Sequence, residues 1–142
     1  MTQIDKELLL KDLCARLPYK VKVQDTYYKS LEPAPIWLLD LNAQCVRLFA
    51  DEGYQNIEYI KPYLFPLSSM TEEQKNECFK GTPLEIDKYG DIAVKDNSYG
   101  GSQYTDLENY LEVINWLLKN HFDYRGLIPM GLAIDATGLN IY

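Results

Sequence analysis

The last third of the chain, from Thr105 to Tyr142 (TDLENYLEVINWLLKNHFDYRGLIPMGLAIDATGLNIY), most constrains the fold. It holds the longest strongly periodic stretch, followed by a tail dense in apolar residues. Thr105 with Glu108 at the capping-box spacing predicts a helix start. Asp106 and Glu108 place negative charge in the first turn, where the helix dipole favours it. Leu107, Tyr110, Leu111, Ile114, Leu117, Leu118 and His121 recur at three- and four-residue steps, which predicts one buried face. Val113 and Trp116 widen that sector, while Glu108, Glu112, Asn115 and Lys119 fall mostly opposite. Asn120 is the expected stop, because Asn tolerates the left-handed conformation there. Beyond it, Phe122, Leu127, Ile134 and Ile141, turned at Gly126, Gly131 and Gly138, predict a docked segment rather than a loose end. The other elements are expected to pack on this third.

Taken in order, Thr2 or Gln3 to Leu17 reads as a first helix. Ile4, Leu8, Cys14 and Leu17, with Leu9, Leu10 and Leu13 between them, give it a broad apolar face, and Pro18 ends it. Lys20–Thr26 alternates with Val21 and Val23 on one side, the pattern of a half-exposed strand. Ile36–Leu41 is a nearly continuous apolar run suited to a central strand. With Cys45–Phe49 it forms the clearest hairpin in the sequence. Ile57–Ile60 reads as a further short strand. Pro62 and Pro66 exclude a helix across Lys61–Met70, which reads as an apolar loop lying against the core. Ser69 with Glu72 predicts the cap of a short charged helix over Thr71–Lys80, stopped by Gly81. Leu84–Tyr89 and Ile92–Lys95 flank Gly90-Asp91 as a second, polar hairpin. Asp96–Ser102 reads as a loop. There is no βαβ alternation, so the expected fold class is α+β. One globular domain over residues 1–142 would carry a mainly antiparallel sheet with about three helices packed on it.

Charge narrows the function. Residues 1–23 hold five basic and three acidic side chains, a balance of +2, and the remainder holds nine basic and eighteen acidic, a balance of −9. A basic nucleic-acid footprint is therefore absent over most of the chain. Only Lys6, Lys11, Arg16, Lys20 and Lys22 could gather into one. Twelve tyrosines outnumber four phenylalanines and two tryptophans. In an acidic field, exposed tyrosines suit a protein interface better than base stacking, which needs a positive groove. Cys14, Cys45 and Cys78 are scattered and odd in number, so neither a zinc site nor a disulfide framework is indicated. Cys14, among leucines, reads as a buried thiol. No signal peptide or membrane span is evident and residue 2 is not glycine, so the expected location is cytoplasmic.

The best chemical constellation is His121, Asp123 and Arg125. In an extended segment the three share one side, as a general base, its orienting carboxylate and an anion-binding guanidinium. The competing reading puts His121 near a helix C-terminus, where the dipole favours an imidazolium, and makes Asp123 and Arg125 a local salt bridge or cap. Asp135-Ala136-Thr137-Gly138 reads as an Asx or ST turn rather than a metal or phosphate site. Tyr99-Gly100-Gly101-Ser102 lacks the lysine and spacing of a P-loop. Glu72, Glu73 and Glu77 read as a solvated helix face. No cofactor and no metal are expected.

Two blocks, KPYLFPLSSMTEEQ at 61–74 and HFDYRGLIPMGLAIDATGLNIY at 121–142, resemble segments of short uncharacterised proteins from gut bacteria and their phages or mobile elements. The resemblance implies a small intracellular, phage-associated protein. Together with composition, the leading expectation is a non-enzymatic interaction protein that binds another protein or itself. The alternatives are a small enzyme using His121, Asp123 and Arg125, and a nucleic-acid accessory protein.

Overall fold

The computed structural model describes residues 1–28, 32–48, 53–95 and 107–142. In chain order the elements are α1 (Gln3–Arg16), β1 (Lys22–Asp25), β2 (Ala34–Pro35), β3 (Leu38–Asp40), β4 (Cys45–Arg47), β5 (Gln55–Asn56) and β6 (Ile60–Pro66). Then follow α2 (Glu72–Cys78), β7 (Leu84–Ile86), β8 (Ile92–Val94), α3 (Leu107–Lys119), β9 (Phe122–Asp123) and β10 (Ile134–Asp135). The α+β class is as expected, with three helices and mostly antiparallel pairing. The Thr105 cap, the Tyr99–Ser102 turn and the loop over 96–102 fall on residues 96–106, outside the described residues.

The strand that carries the main sheet is β6, in the proline-punctuated stretch expected to be a loop. It pairs antiparallel with β1 and parallel with both β9 and β10, and β1 continues to β2. Pro62 lies opposite Val23. Thr26 N donates to Tyr59 O at 2.7 Å, which makes 26/59 a hydrogen-bonded pair. By the alternation of antiparallel ladders, 23/62 is a non-hydrogen-bonded pair, so β1 asks no N–H of Pro62. Pro66 stands at the strand end, where a missing donor costs least. Ile57–Tyr59, expected as strand, is a 3-10 turn with Asn56 as its cap.

Because side chains alternate along β6, the strand serves two cores. Ile60 and Leu64 face the first, with Leu9 and Leu13 of α1, Val21, Val23, Val46 and the tail residues Leu127 and Leu132. Phe65 packs on the second, with Cys78, Phe79, Leu84, Val113, Leu117 and Phe122. Each large apolar side chain removed from water here contributes about 1.5–3 kcal/mol.

Several local expectations change in the structure. α1 turns Leu9, Leu10, Asp12, Leu13 and Arg16 inward and leaves Ile4 exposed. α3 buries Val113, Leu117 and Leu118, while Leu107 and Leu111 face outward. Its packed side is therefore rotated toward Val113 and Trp116, which meet Phe122. The Ile36–Leu41 run forms the expected hairpin, but as an outer strand of a separate three-stranded sheet, β3-β4-β5. Trp37 and Leu41 are exposed there, so the stretch is not a central strand. Thr71, not Ser69, caps α2: its hydroxyl accepts from Gln74 N and Gln74 reaches back to Thr71 N. Two boxes overlap in the sequence, and Ser69 instead donates to Pro66 O. Cys14 is half-buried. The β7–β8 hairpin and the docked tail are as expected.

Candidate functional site

His121 owes its position to how α3 ends. Asn120 N and Nδ2 both donate to Trp116 O, at 3.0 and 2.9 Å. With Asn120 holding the last turn, the left-handed residue is His121 (φ 63), not Asn120. A β-carbon is disfavoured in that region, so this is a locally strained backbone. The strain is held by Phe65 N donating to His121 O at 2.9 Å, which locks the turn onto β6. The imidazole then lies flat on Tyr142, with ring centroids 3.8 Å apart and planes 9° from parallel. Tyr142 is itself fixed. Its hydroxyl accepts from Lys22 N at 3.1 Å and donates to Tyr63 O at 2.8 Å, while Lys22 Nζ donates to Ile141 O.

The imidazole carries no side-chain hydrogen bond among the described residues. Nδ1 is buried without a partner, and the residue lines a cleft. Desolvation, reinforced by the Arg16 guanidinium, pulls its pKa from 6.5 down to about 4. Burial therefore works against the imidazolium that the helix dipole was expected to favour. A helix C-terminus contributes about 0.3–1 kcal/mol, and burial beside a cation outweighs it. A bare lone pair at Nδ1 suits the positive potential of Arg16, which assigns the proton to Nε2.

Arg16 is fully buried. Its Nε donates to Asp12 Oδ2 at 2.6 Å and its Nη2 to Phe122 O at 2.8 Å. Arg125 Nε reaches the other Asp12 oxygen at 3.2 Å. Asp12 thereby clamps α1 to the segment after α3. Asp123, also buried, accepts the amides of Leu127 at 2.9 Å and Ile128 at 2.8 Å. The three residues singled out together in the sequence are therefore placed apart in role. His121 lines the cleft, Asp123 caps the first turn of the tail, and Arg125 joins the Asp12–Arg16 seam. Sequence reasoning missed the pairing of Asp12 with Arg16. Their spacing of four on a leucine-rich helix was the available signal.

The cleft beside His121 has a volume of about 530 Å³. Phe65, Phe122 and Tyr142 form an aromatic side, with Phe65 5.8 Å from Phe122 and 6.0 Å from Tyr142 between ring centroids. Thr71, Gln74 and Lys119 supply the polar side, with no Asp or Glu among the described lining residues. Across the Asx turn Asp135–Gly138, Thr137 N donates to Asp135 Oδ1 at 2.9 Å, and Thr137 borders the same cleft.

A second feature lies on the β3-β4-β5 sheet. The Arg47 guanidinium sits 4.4 Å from the Tyr54 ring centroid and 5.9 Å from that of Trp37. Trp37 is 56% exposed and Tyr54 48%. Tyr27 packs on Tyr28 and Tyr59 nearby in sequence to Asp25, whose carboxylate takes the Tyr27 amide and Gln55 Nε2 of β5. The basic residues of the first 23 do not make one stripe. Arg16 is buried, Lys6 pairs with Glu58, and Lys22 holds Ile141. Glu72, Glu73 and Glu77 are exposed on α2, as expected. Among the described residues no cluster of His, Cys, Asp or Glu could hold a metal ion, and no helix is long and apolar enough to cross a membrane.

No family model, curated protein or solved structure matches the chain.

Proposed function

We propose that the chain is a non-enzymatic interaction protein, cytoplasmic and of phage or mobile-element origin, that binds another protein through the β3-β4-β5 face. The observation that carries this reading is the Trp37–Arg47–Tyr54 stack, two half-exposed aromatic rings held against one guanidinium. Trp, Tyr and Arg are the residues that most often dominate binding energy at protein interfaces. A pre-stacked set loses little side-chain entropy when a partner covers it. Leu38, paired with Arg47 across the ladder, adds exposed apolar area beside it. The net charge of −7 favours a partner with a basic surround, chiefly through the rate of encounter.

The experiment is a paired pull-down at two salt concentrations, with the native chain and with Trp37→Ala/Tyr54→Ala as baits. Both substitutions lie on the surface, and circular dichroism verifies that the variant folds. A basic protein retained by the native bait and lost with the variant supports the reading. Retention unchanged by the double substitution, or nothing retained at high bait concentration, sinks it. Sedimentation of the native chain alone separates self-association from binding in trans.

The cleft at His121 favours a second reading, in which the imidazole handles a small ligand. As a catalytic site it would rest on His121 alone, because Asp123 and Arg125 are committed to the tail and to Asp12. An imidazole whose pKa is pulled down to about 4 is a weak base at neutral pH. Its geometry suits binding better than proton transfer.

A further inference from the structure

We propose that the His121 cleft is a binding site for a small aromatic carboxylate. This inference is independent of the Trp37–Arg47–Tyr54 face.

Several hydrogen-bond donors along the cleft are left free to reach a ligand. The Thr71 hydroxyl oxygen accepts from Gln74 N, which leaves its proton to give. Gln74 Oε1 accepts from Thr71 N, which leaves its Nε2 hydrogens to give. Lys119 makes no ion pair among the described residues, and it stands at the rim. His121, which lines the same cleft, keeps its Nε2–H as a further donor in this tautomer. Against these donors, no Asp or Glu is among the described residues that line the cleft, although the chain has 21 acidic residues. In a chain of net charge −7, a cleft whose described lining holds Lys119 and no Asp or Glu is suited to an anion. A planar carboxylate can accept from two or more such donors at once.

The opposite side sets the rest of the ligand. Phe65, Tyr142 and the imidazole are in ring-to-ring contact, and Phe122 packs on Phe65. Such a wall favours a flat, apolar ring in offset or edge contact. Ligand pockets of this kind combine an apolar body with a few convergent polar groups, and the volume of about 530 Å³ exceeds that of one aromatic ring with its acid group. The pKa of the ring adds a signature. An anion beside the imidazole favours its protonated form, so occupancy raises the pKa from about 4.

His121 is the only histidine, so its imidazole Cε1–H resonance needs no assignment. Benzoate is the probe, titrated at pH 7 into the full chain, with acetate and benzylamine as separate arms. The expected result is a saturable shift with half-saturation at or below about 1 mM. Acetate, which lacks the ring, and benzylamine, which inverts the charge, should each bind at least about tenfold more weakly. Saturating benzoate should also move the titration midpoint of His121 upward. Lys119→Ala removes an exposed side chain and leaves the fold intact by circular dichroism. It should weaken benzoate about fivefold or more. The proposal is overturned if about 10 mM benzoate leaves the resonance unmoved. Equal binding of benzylamine, or benzoate affinity unchanged in Lys119→Ala, overturns it as well.

Discussion

His121 and Tyr142 lie ring on ring, 3.8 Å between centroids, so the residue that ends α3 is also the seat of the last residue described. Tyr142 in turn bonds Lys22 at the start of β1 and Tyr63 in β6. One stacked pair therefore joins the end of a helix, two strands of the main sheet and the C-terminal segment. That junction is why the imidazole is desolvated, and desolvation gives the first prediction.

The folded-state pKa of His121 is about 4 against an ordinary 6.5. Between these values the unfolded chain binds more protons than the folded one, so stability rises with pH across that window. The contribution is complete above pH 6.5, falls as pH drops toward 4, and is flat below. Carboxylates titrate at the lower end, so the measurement is a difference. Urea midpoints from pH 7 to 4.5 should show a steeper loss in the native chain than in His121→Asn. Asn keeps the left-handed conformation accessible and removes the titrating ring. Parallel slopes for the two proteins would refute the desolvated imidazole.

Asp12→Ala should be among the most damaging single substitutions. It leaves Arg16, which is fully buried, without its counter-charge, and it also releases Arg125. Removing one member of a buried pair costs about 3–5 kcal/mol, a large part of a typical domain's stability of about 5–15 kcal/mol. The double change Asp12→Leu/Arg16→Met removes both charges and should be less destabilised than Asp12→Ala alone. Chemical denaturation of both variants decides it. If the single variant is no less stable than the double, the seam is not a charge pair of consequence.

How much of this was readable beforehand depends on whether the deciding interaction was local. The first helix, the alternation of Val21 and Val23, both hairpins and the Asx turn at Asp135 follow from near neighbours, and all appear. The role of β6 does not follow from near neighbours. Pro62 and Pro66 argue against a strand until the partners are known to need no N–H at those positions. The packed side of α3 also eluded periodicity. Leu107 and Leu111 are as apolar as Leu117, and only the placement of Phe122 and Leu84 selects Val113 and Leu117 as the inner residues. At the site, His121 was legible as a residue of interest, but its pairing with Asp123 and Arg125 was not realised. Those two satisfy amides and a carboxylate that come from elsewhere in the fold. The Trp37–Arg47–Tyr54 stack draws on three strands' worth of chain and had no local signal at all.

Asp123→Ala tests whether the tail is held by that carboxylate. The amides of Leu127 and Ile128 lose a buried acceptor, at about 1–3 kcal/mol for an orphaned group. The effect should be local before it is global. Hydrogen exchange at residues 127 and 128 should accelerate more than exchange at Val23 or Ile60 in the sheet. Uniform acceleration would show that the tail has no separate anchor.

Cys78 should resist alkylation in the native state. Burial, with Glu77 adding to it, pushes its thiol up to about 12, and the thiolate is the reactive form. Iodoacetamide at pH 8 should modify the half-buried Cys14 and Cys45 first, with Cys78 labelled only on addition of denaturant. Mass spectrometry of the labelled peptides gives the order. Early modification of Cys78 would place it outside the second core.

The rotation of α3 is tested by making the same substitution twice in one helix. Leu117 is fully buried against Phe122 and Leu84, whereas Leu107 is 72% exposed. Both were expected on one apolar face, so the sequence alone gives them similar weight. Leu117→Ala removes buried methyl groups and leaves a cavity, at a cost of about 2–5 kcal/mol. Leu107→Ala touches a surface position and should stay within about 0.5 kcal/mol. Helix propensity changes by the same Leu-to-Ala step in both, so the difference between the two midpoints isolates packing. Comparable losses would mean that Leu107 is covered in solution, and the helix would then bury the face its periodicity suggests rather than the one turned toward Trp116.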